Sequence, residues 1–130
     1  MPNFEVFDRK AKPSVTQPLV TLQGSGTFSL NRASFEALGE PDEVELLYDP
    51  EEQIVGFRPA VETSPHSYRI KPQPNGRTYQ TGGRAFCSHY GIETGTARRF
   101  AGEVMGDILA IDLKGEAKIV GRNGRTKQEA

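Results

Sequence analysis

Residues 26–39 read "GTFSLNRASFEALG", a strand that runs straight into a short helix. Thr27 to Leu30 form the strand. Asn31 then suits a helix N-cap, because its side-chain oxygen can accept from a free amide of the first turn. With Asn31 as cap, Leu30 and Phe35 have the spacing of a hydrophobic staple. Phe35 and Leu38 lie three apart and share a face. Gly39 follows, where a left-handed residue ends a helix, and Pro41 forbids continuation. The stretch predicts a strand and a two-turn helix, with Gly39 at positive φ.

Outward from this stretch, Leu19, Val20 and Leu22 form a strand that ends at the turn "QGSG". Phe4, Val6 and Phe7 suggest a further short strand, separated from it by an extended loop over residues 8–18. On the other side, "EVELLYD" (43–49) and "QIVGFRP" (53–59) read as a hairpin around "DPEE", and "AVETSPHS" (60–67) as a linker. The plan then recurs. "YRIK" (68–71), the turn "PQPNG" (72–76) and the strand "RTYQT" (77–81) precede a helix within "GGRAFCSHYG" (82–91), where Gly91 ends the helix as Gly39 does. "TARRF" (96–100) and "DILAIDL" (107–113) read as a second hairpin around "AGEVMG". Phe86 is the counterpart of Phe35 once a one-residue shift is allowed. Residues 114–130 form a polar, basic tail with a little apolar character at Ile119 and Val120.

The 130 residues include 14 glycines and 9 prolines, with 35% hydrophobic residues in clusters. That composition suits many short elements around a modest core. No apolar run is long enough to span a membrane, and "MPNFEVFDRK" lacks the basic and apolar regions of a signal peptide. The single cysteine, Cys87, cannot form an internal disulfide, which agrees with a reducing, cytoplasmic setting. Net charge is −1 but unevenly spread. Residues 1–60 hold 5 Lys/Arg against 10 Asp/Glu, residues 61–113 hold 6 against 5, and residues 114–130 hold 5 against 2. An anionic partner is therefore expected at the second half or the tail.

The order strand, Gly turn, strand, short helix, Gly, acidic strand, turn, strand over Val20–Pro59 resembles the swapped-hairpin domain of the AbrB and MraZ families of bacterial DNA-binding regulators. Gly26, Phe28, Leu30, Leu38 and Gly39 fit that pattern. Thr27 stands where the family usually has Arg, and Asn31 where it usually has Pro. The second half keeps Gly76-Arg77 but has extra residues before its helix. The resemblance implies two such units in one chain. One unit alone buries too little surface to be stable, whereas two can interlock around a shared core. The fold expected is thus β-rich α+β, with two similar half-units in a pseudo-twofold, β-barrel-like domain. Residues 1–60 form the first half-unit, 61–113 the second and 114–130 the tail.

Candidate chemistry is sparse. Arg77, Arg84, Arg98 and Arg99, with Lys71, form the best basic set. They read as DNA-phosphate contacts or as a solvated strand edge. Lys114, Lys118, Arg122, Arg125 and Lys127 read as a nucleic-acid arm or a solubilising tail. Cys87 and His89 lie two apart on a helix and so do not face each other, and no residue is placed to orient the histidine. His66, His89 and Cys87 make no zinc set. Glu43, Glu45, Asp49, Glu51 and Glu52 lack the spacing and central glycine of a calcium loop. No phosphate-cradling loop, catalytic set or cofactor motif is evident. The expected function is that of a non-enzymatic DNA-binding transcriptional regulator. The alternative is a protein-interaction or structural module without DNA binding, its partner a second copy or another protein.

Overall fold

The computed structural model describes residues 17–60 and 65–120. The strand expected at Phe4–Phe7 and the distal tail residues Arg122, Arg125 and Lys127 lie outside them. In chain order the elements are β1 (Leu19–Leu22), β2 (Thr27–Asn31), α1 (Arg32–Ala37), β3 (Glu43–Asp49), β4 (Ile54–Pro59), β5 (Ser67–Arg69), β6 (Lys71–Pro72), β7 (Thr78–Gly82), α2 (Arg84–Tyr90), β8 (Arg98–Ala101), β9 (Glu103–Met105), β10 (Ile108–Asp112) and β11 (Ala117–Ile119). The fold is β-rich α+β. One sheet has six strands in the order β11-β8-β1-β2-β7-β6, and the other has five in the order β5-β3-β4-β10-β9. The ladders end at those outer strands, so the described residues form two sheets and not a closed barrel.

The quoted stretch folds as its signals require. Asn31 Oδ1 accepts from the Ser34 amide at 2.9 Å and also from the Leu19 amide at 3.0 Å. The cap thus ties α1 to the start of β1. Ser34 is buried and donates its hydroxyl to the Leu19 carbonyl at 2.8 Å. Gly39 and Gly91 have φ of 85° and 67°, as expected where helices end in a left-handed residue.

Both helix ends use the same bonds. The Glu40 amide donates to the Phe35 carbonyl and the Ile92 amide to the Cys87 carbonyl. This matches Phe35 with Cys87 and Ser34 with Phe86, so the Phe35–Phe86 correspondence does not hold. The shift arises because α2 is preceded by an extra residue, Gly83. A Cβ there would lie 2.4 Å from Phe28 Cε2, so the close packing of β2 against the helix start demands glycine.

The core lies between the sheets. Val20, Leu22, Phe28, Leu30 and Phe100 come from the six-stranded sheet, and Val44, Val55, Phe57, Leu109 and Ile111 from the five-stranded one. Phe28 meets Phe57 edge-on at 5.1 Å between ring centroids, which joins the two layers directly.

Two further expectations, both of strand pairing, differ from the structure. "YRIK" is not one strand. β5 pairs with β3 and β6 with β7, in different sheets. Between them Ile70 is buried, and its amide donates to the Asp42 carbonyl at 2.8 Å. "TARRF" and "DILAIDL" are not a hairpin either. β8 pairs with β1 and β11, while β10 pairs with β4 and with the unforeseen β9. The reason is burial: Phe100 belongs to the core face of one sheet and Leu109 and Ile111 to that of the other, so adjacent strands separate at Gly102.

Candidate nucleic-acid interface

Alternation decides which side chains face outward. In β1, β2, β7 and β8 the residues Val20, Leu22, Phe28, Leu30, Tyr79, Thr81 and Phe100 are buried. Their neighbours must therefore point to the opposite face. The ladder registers place Lys118 beside Arg99, Arg99 beside Thr21, Thr21 beside Ser29, Ser29 beside Gln80 and Gln80 beside Lys71. This row crosses all six strands on the outer face. At 4.7–4.9 Å per strand gap it is about 24 Å long. Thr27, Asn31 and Thr78 widen the polar surface. Arg99 Nε lies 3.3 Å from Thr21 Oγ1, which steers the guanidinium along the face.

None of the six strands contains an acidic residue, while they carry Lys71, Arg98, Arg99 and Lys118. No aromatic ring faces outward from them, so this surface cannot stack bases and is suited to backbone contact. What it offers an anionic chain is positive charge flanked by hydroxyl and amide groups.

The four arginines singled out from sequence do not converge. Arg98 and Arg99 are successive strand residues and point to opposite faces. Arg98 turns to the core side, donating to the Glu93 carbonyl at 2.7 Å, with its guanidinium 5.3 Å from the Phe100 ring centre. Arg84 is exposed at the first position of α2. It lines a polar cleft of 410 Å³ with Gly24, Ser25, Ser88 and Thr94 at the β1–β2 turn. Arg77 is exposed in the β6–β7 turn, at the opposite end of the sheet because β2 and β7 run antiparallel. Lys71 lies in the row, and so does Lys118, which sequence reading assigned to the tail. Thr21, Ser29 and Gln80 were missed. Their polar alternation with buried neighbours was the available signal.

The remaining constellations are also located. Cys87 is buried, and desolvation pushes its thiol up from the ordinary value, opposed by the nearby Arg98 charge. His89 is exposed with its ring against Tyr90. Among the described residues no three His, Cys, Asp or Glu side chains gather as a metal site would need. No helix among them is long and apolar enough to cross a membrane.

Comparison with protein-family models, with curated proteins and with solved structures finds no match to this chain.

Proposed function

We propose that the protein is a DNA-binding regulator of the AbrB/MraZ kind that holds the phosphate backbone on the outer face of its six-stranded sheet. The observation that carries this reading is the acid-free row Lys118–Arg99–Thr21–Ser29–Gln80–Lys71 across six strands. Phosphate contacts of Lys and Arg release counterions, and hydroxyl and amide groups add hydrogen bonds to backbone oxygens. Contacts of this kind position a duplex without reading its sequence.

Pairing across the halves supports a pseudo-twofold arrangement. Ser29 lies opposite Gln80 in β2–β7, and Gly56 opposite Ala110 in β4–β10. About an axis through those pairs, Thr27 exchanges with Thr78 and Phe57 with Ile111. The turns before β2 and β7 match as well. Gly26 and Gly76 each donate to the carbonyl of a glutamine, Gln23 or Gln73, at 2.9 Å.

The test is fluorescence anisotropy with duplex fragments at about 50 and about 200 mM salt, the range over which phosphate contacts show. The expected result is salt-sensitive binding that is weakened, with a shallower salt dependence, when Lys71, Arg99 and Lys118 are changed together to Ala. Absence of such binding at micromolar protein removes the reading. A protein-interaction module would then lead. It is favoured by Val104 and Met105, 51% and 48% exposed on β9, whose outer edge is unpaired among the described strands.

A further inference from the structure

The 410 Å³ cleft at the β1–β2 turn has walls that include Arg84, Cys87, Ser88, Ile92 and Thr94. Its one formal charge is that of Arg84, and no carboxylate side chain lines it among the described residues. Four other arginines already have partners. Arg32 is held by Glu36 and Tyr79, Arg58 by Glu45, Arg98 by the Glu93 carbonyl and Arg99 by Thr21. Arg84 makes no ion pair and no side-chain hydrogen bond among the described residues. Ser88 lies four residues on along α2 and so shares its helix face. The hydroxyls of Ser88 and Thr94 are likewise without a hydrogen bond among the described residues, whereas Ser25 donates to Thr27 Oγ1 at 3.0 Å. A guanidinium and two hydroxyls therefore line one hollow with their donors unused. Side chains, and not the end of the seven-residue α2, supply these donors.

Backbone packing makes the hollow. A Cβ on Gly24 would lie 3.3 Å from the Thr94 carbonyl oxygen, and one on Gly26, at φ 90°, would lie 2.8 Å from Arg84 Cα. Glycine at both places lets the β1–β2 turn, α2 and the loop at Thr94 converge. Cys87 and Ile92 are buried and give the hollow an apolar floor. The Arg98 charge also acts on the Cys87 thiol, so a second positive field reaches that floor. An unpaired guanidinium beside hydroxyl donors, with no acid to repel, is the chemistry that holds a phosphate. A phosphate monoester suits it better than a backbone diester. It carries more than one negative charge at neutral pH and three free oxygens to receive three donor groups. The volume lies within the range of about 300–1,000 Å³ for small-ligand sites, so there is room for the body that carries the phosphate. We propose that the Arg84 cleft binds a phosphate monoester, its oxygens on the Arg84 guanidinium and the Ser88 and Thr94 hydroxyls and its body against Ile92. The ester is that of a free small molecule or of the 5′ end of a nucleic-acid strand. This is independent of whether the outer face of the six-stranded sheet binds DNA.

The test follows the amide NMR signals of the full, isotope-labelled chain at neutral pH, with chloride at matched ionic strength as the blank. Glycerol phosphate should shift the signals of residues 24–26 and 84–88 and of Thr94, and leave those of Ser29 and Gln80 in place. Arg84→Gln should weaken this binding about 10-fold or more, as loss of a charge-assisted contact implies, and Ser88→Ala about two- to tenfold. Arg84→Lys should restore part of it, and Arg69→Gln should change nothing. Arg84 and Ser88 are exposed, so neither change opens the core. Short duplexes with and without 5′-phosphates separate the two sources. Shifts of the cleft amides by the 5′-phosphorylated duplex alone assign the strand end, shifts by glycerol phosphate assign the free ester, and either sustains the proposal. Equal shifts in the chloride blank, or glycerol phosphate binding indifferent to Arg84→Gln, overturn it. So do cleft shifts that both duplexes produce equally and glycerol phosphate does not, which would make Arg84 a contact for backbone phosphate.

Discussion

The two sheets share one core and differ in charge. The six-stranded sheet has four cations and no acid in its strands, while the five-stranded sheet has Glu43, Glu45, Asp49, Glu103 and Asp112 against Arg58 and Arg69. Their outer faces differ likewise. The first is polar and open. On the second, Arg58 is tied to Glu45 at 2.6 Å, an ion pair that raises the guanidinium pKa chiefly through that hydrogen bond. Chain position does not explain this division. The acidic first half supplies β1 and β2 to the basic sheet, and its carboxylates among the described residues go to β3, α1 and the turns. Polarity here is a property of strand assembly, which interleaves the halves.

The largest effect is expected at the contact the two sheets share. Phe57→Ala removes the ring against Phe28 and should cost about 3–5 kcal/mol in urea unfolding. Probes in both sheets should report one transition, and a five-stranded sheet that melts first would show the layers to be separable. Next comes the charge difference. On the proposed DNA-binding reading, changing Lys71, Arg99 and Lys118 to Ala should flatten the salt dependence of binding by about 2.7 log units per log unit of salt, at about 0.9 per lost contact. Changing Arg58 and Arg69 in the other sheet should leave that slope as it was. Smaller effects arise where the helices start. Gly83→Ala drives a methyl into Phe28 and should cost about 1–3 kcal/mol by overpacking. Asn31→Ala should cost about 1 kcal/mol by loss of its cap, as read from thermal or urea melts.

Acid gives the smallest effect. Bonds from the Lys114 amide and ammonium hold Asp112 below the ordinary value of 3.8. A depressed carboxylate stabilises the fold above its unfolded value and loses that contribution as pH falls through the folded one. The stability difference between the protein and Asp112→Asn should be present at neutral pH and shrink below about pH 4. No strand of the six-stranded sheet holds a carboxylate to titrate in this way.

Much of the local structure was legible in sequence because local chemistry writes it. Asn31, Leu38, Gly39 and Pro41 bound α1, and "EVELLYD" matches β3 residue for residue. What escaped was pairing. "TARRF" and "DILAIDL" look like neighbours along the chain, yet β8 inserts beside β1, because only burial of Phe100 against the first sheet determines its place. The same blindness affected the site. Arg98 and Arg99 are adjacent in sequence, and the pleat sends them to opposite faces. Lys71, Arg99 and Lys118 are far apart in sequence, and the ladder aligns them.

The position of β1 between β2 and β8 has a consequence for how the protein is made. Leu22 pairs with Arg98 and Leu19 with Ala101, so one side of β1 waits for most of the chain. Pairings this distant in sequence place folding toward the millisecond-to-second end of the range for small domains. At about 5–20 residues per second on the ribosome, β1 is exposed for several seconds with one edge unpaired. During synthesis the β1–β2 hairpin is therefore the stretch most open to mispairing with another nascent chain, and it is sealed only when β8 arrives.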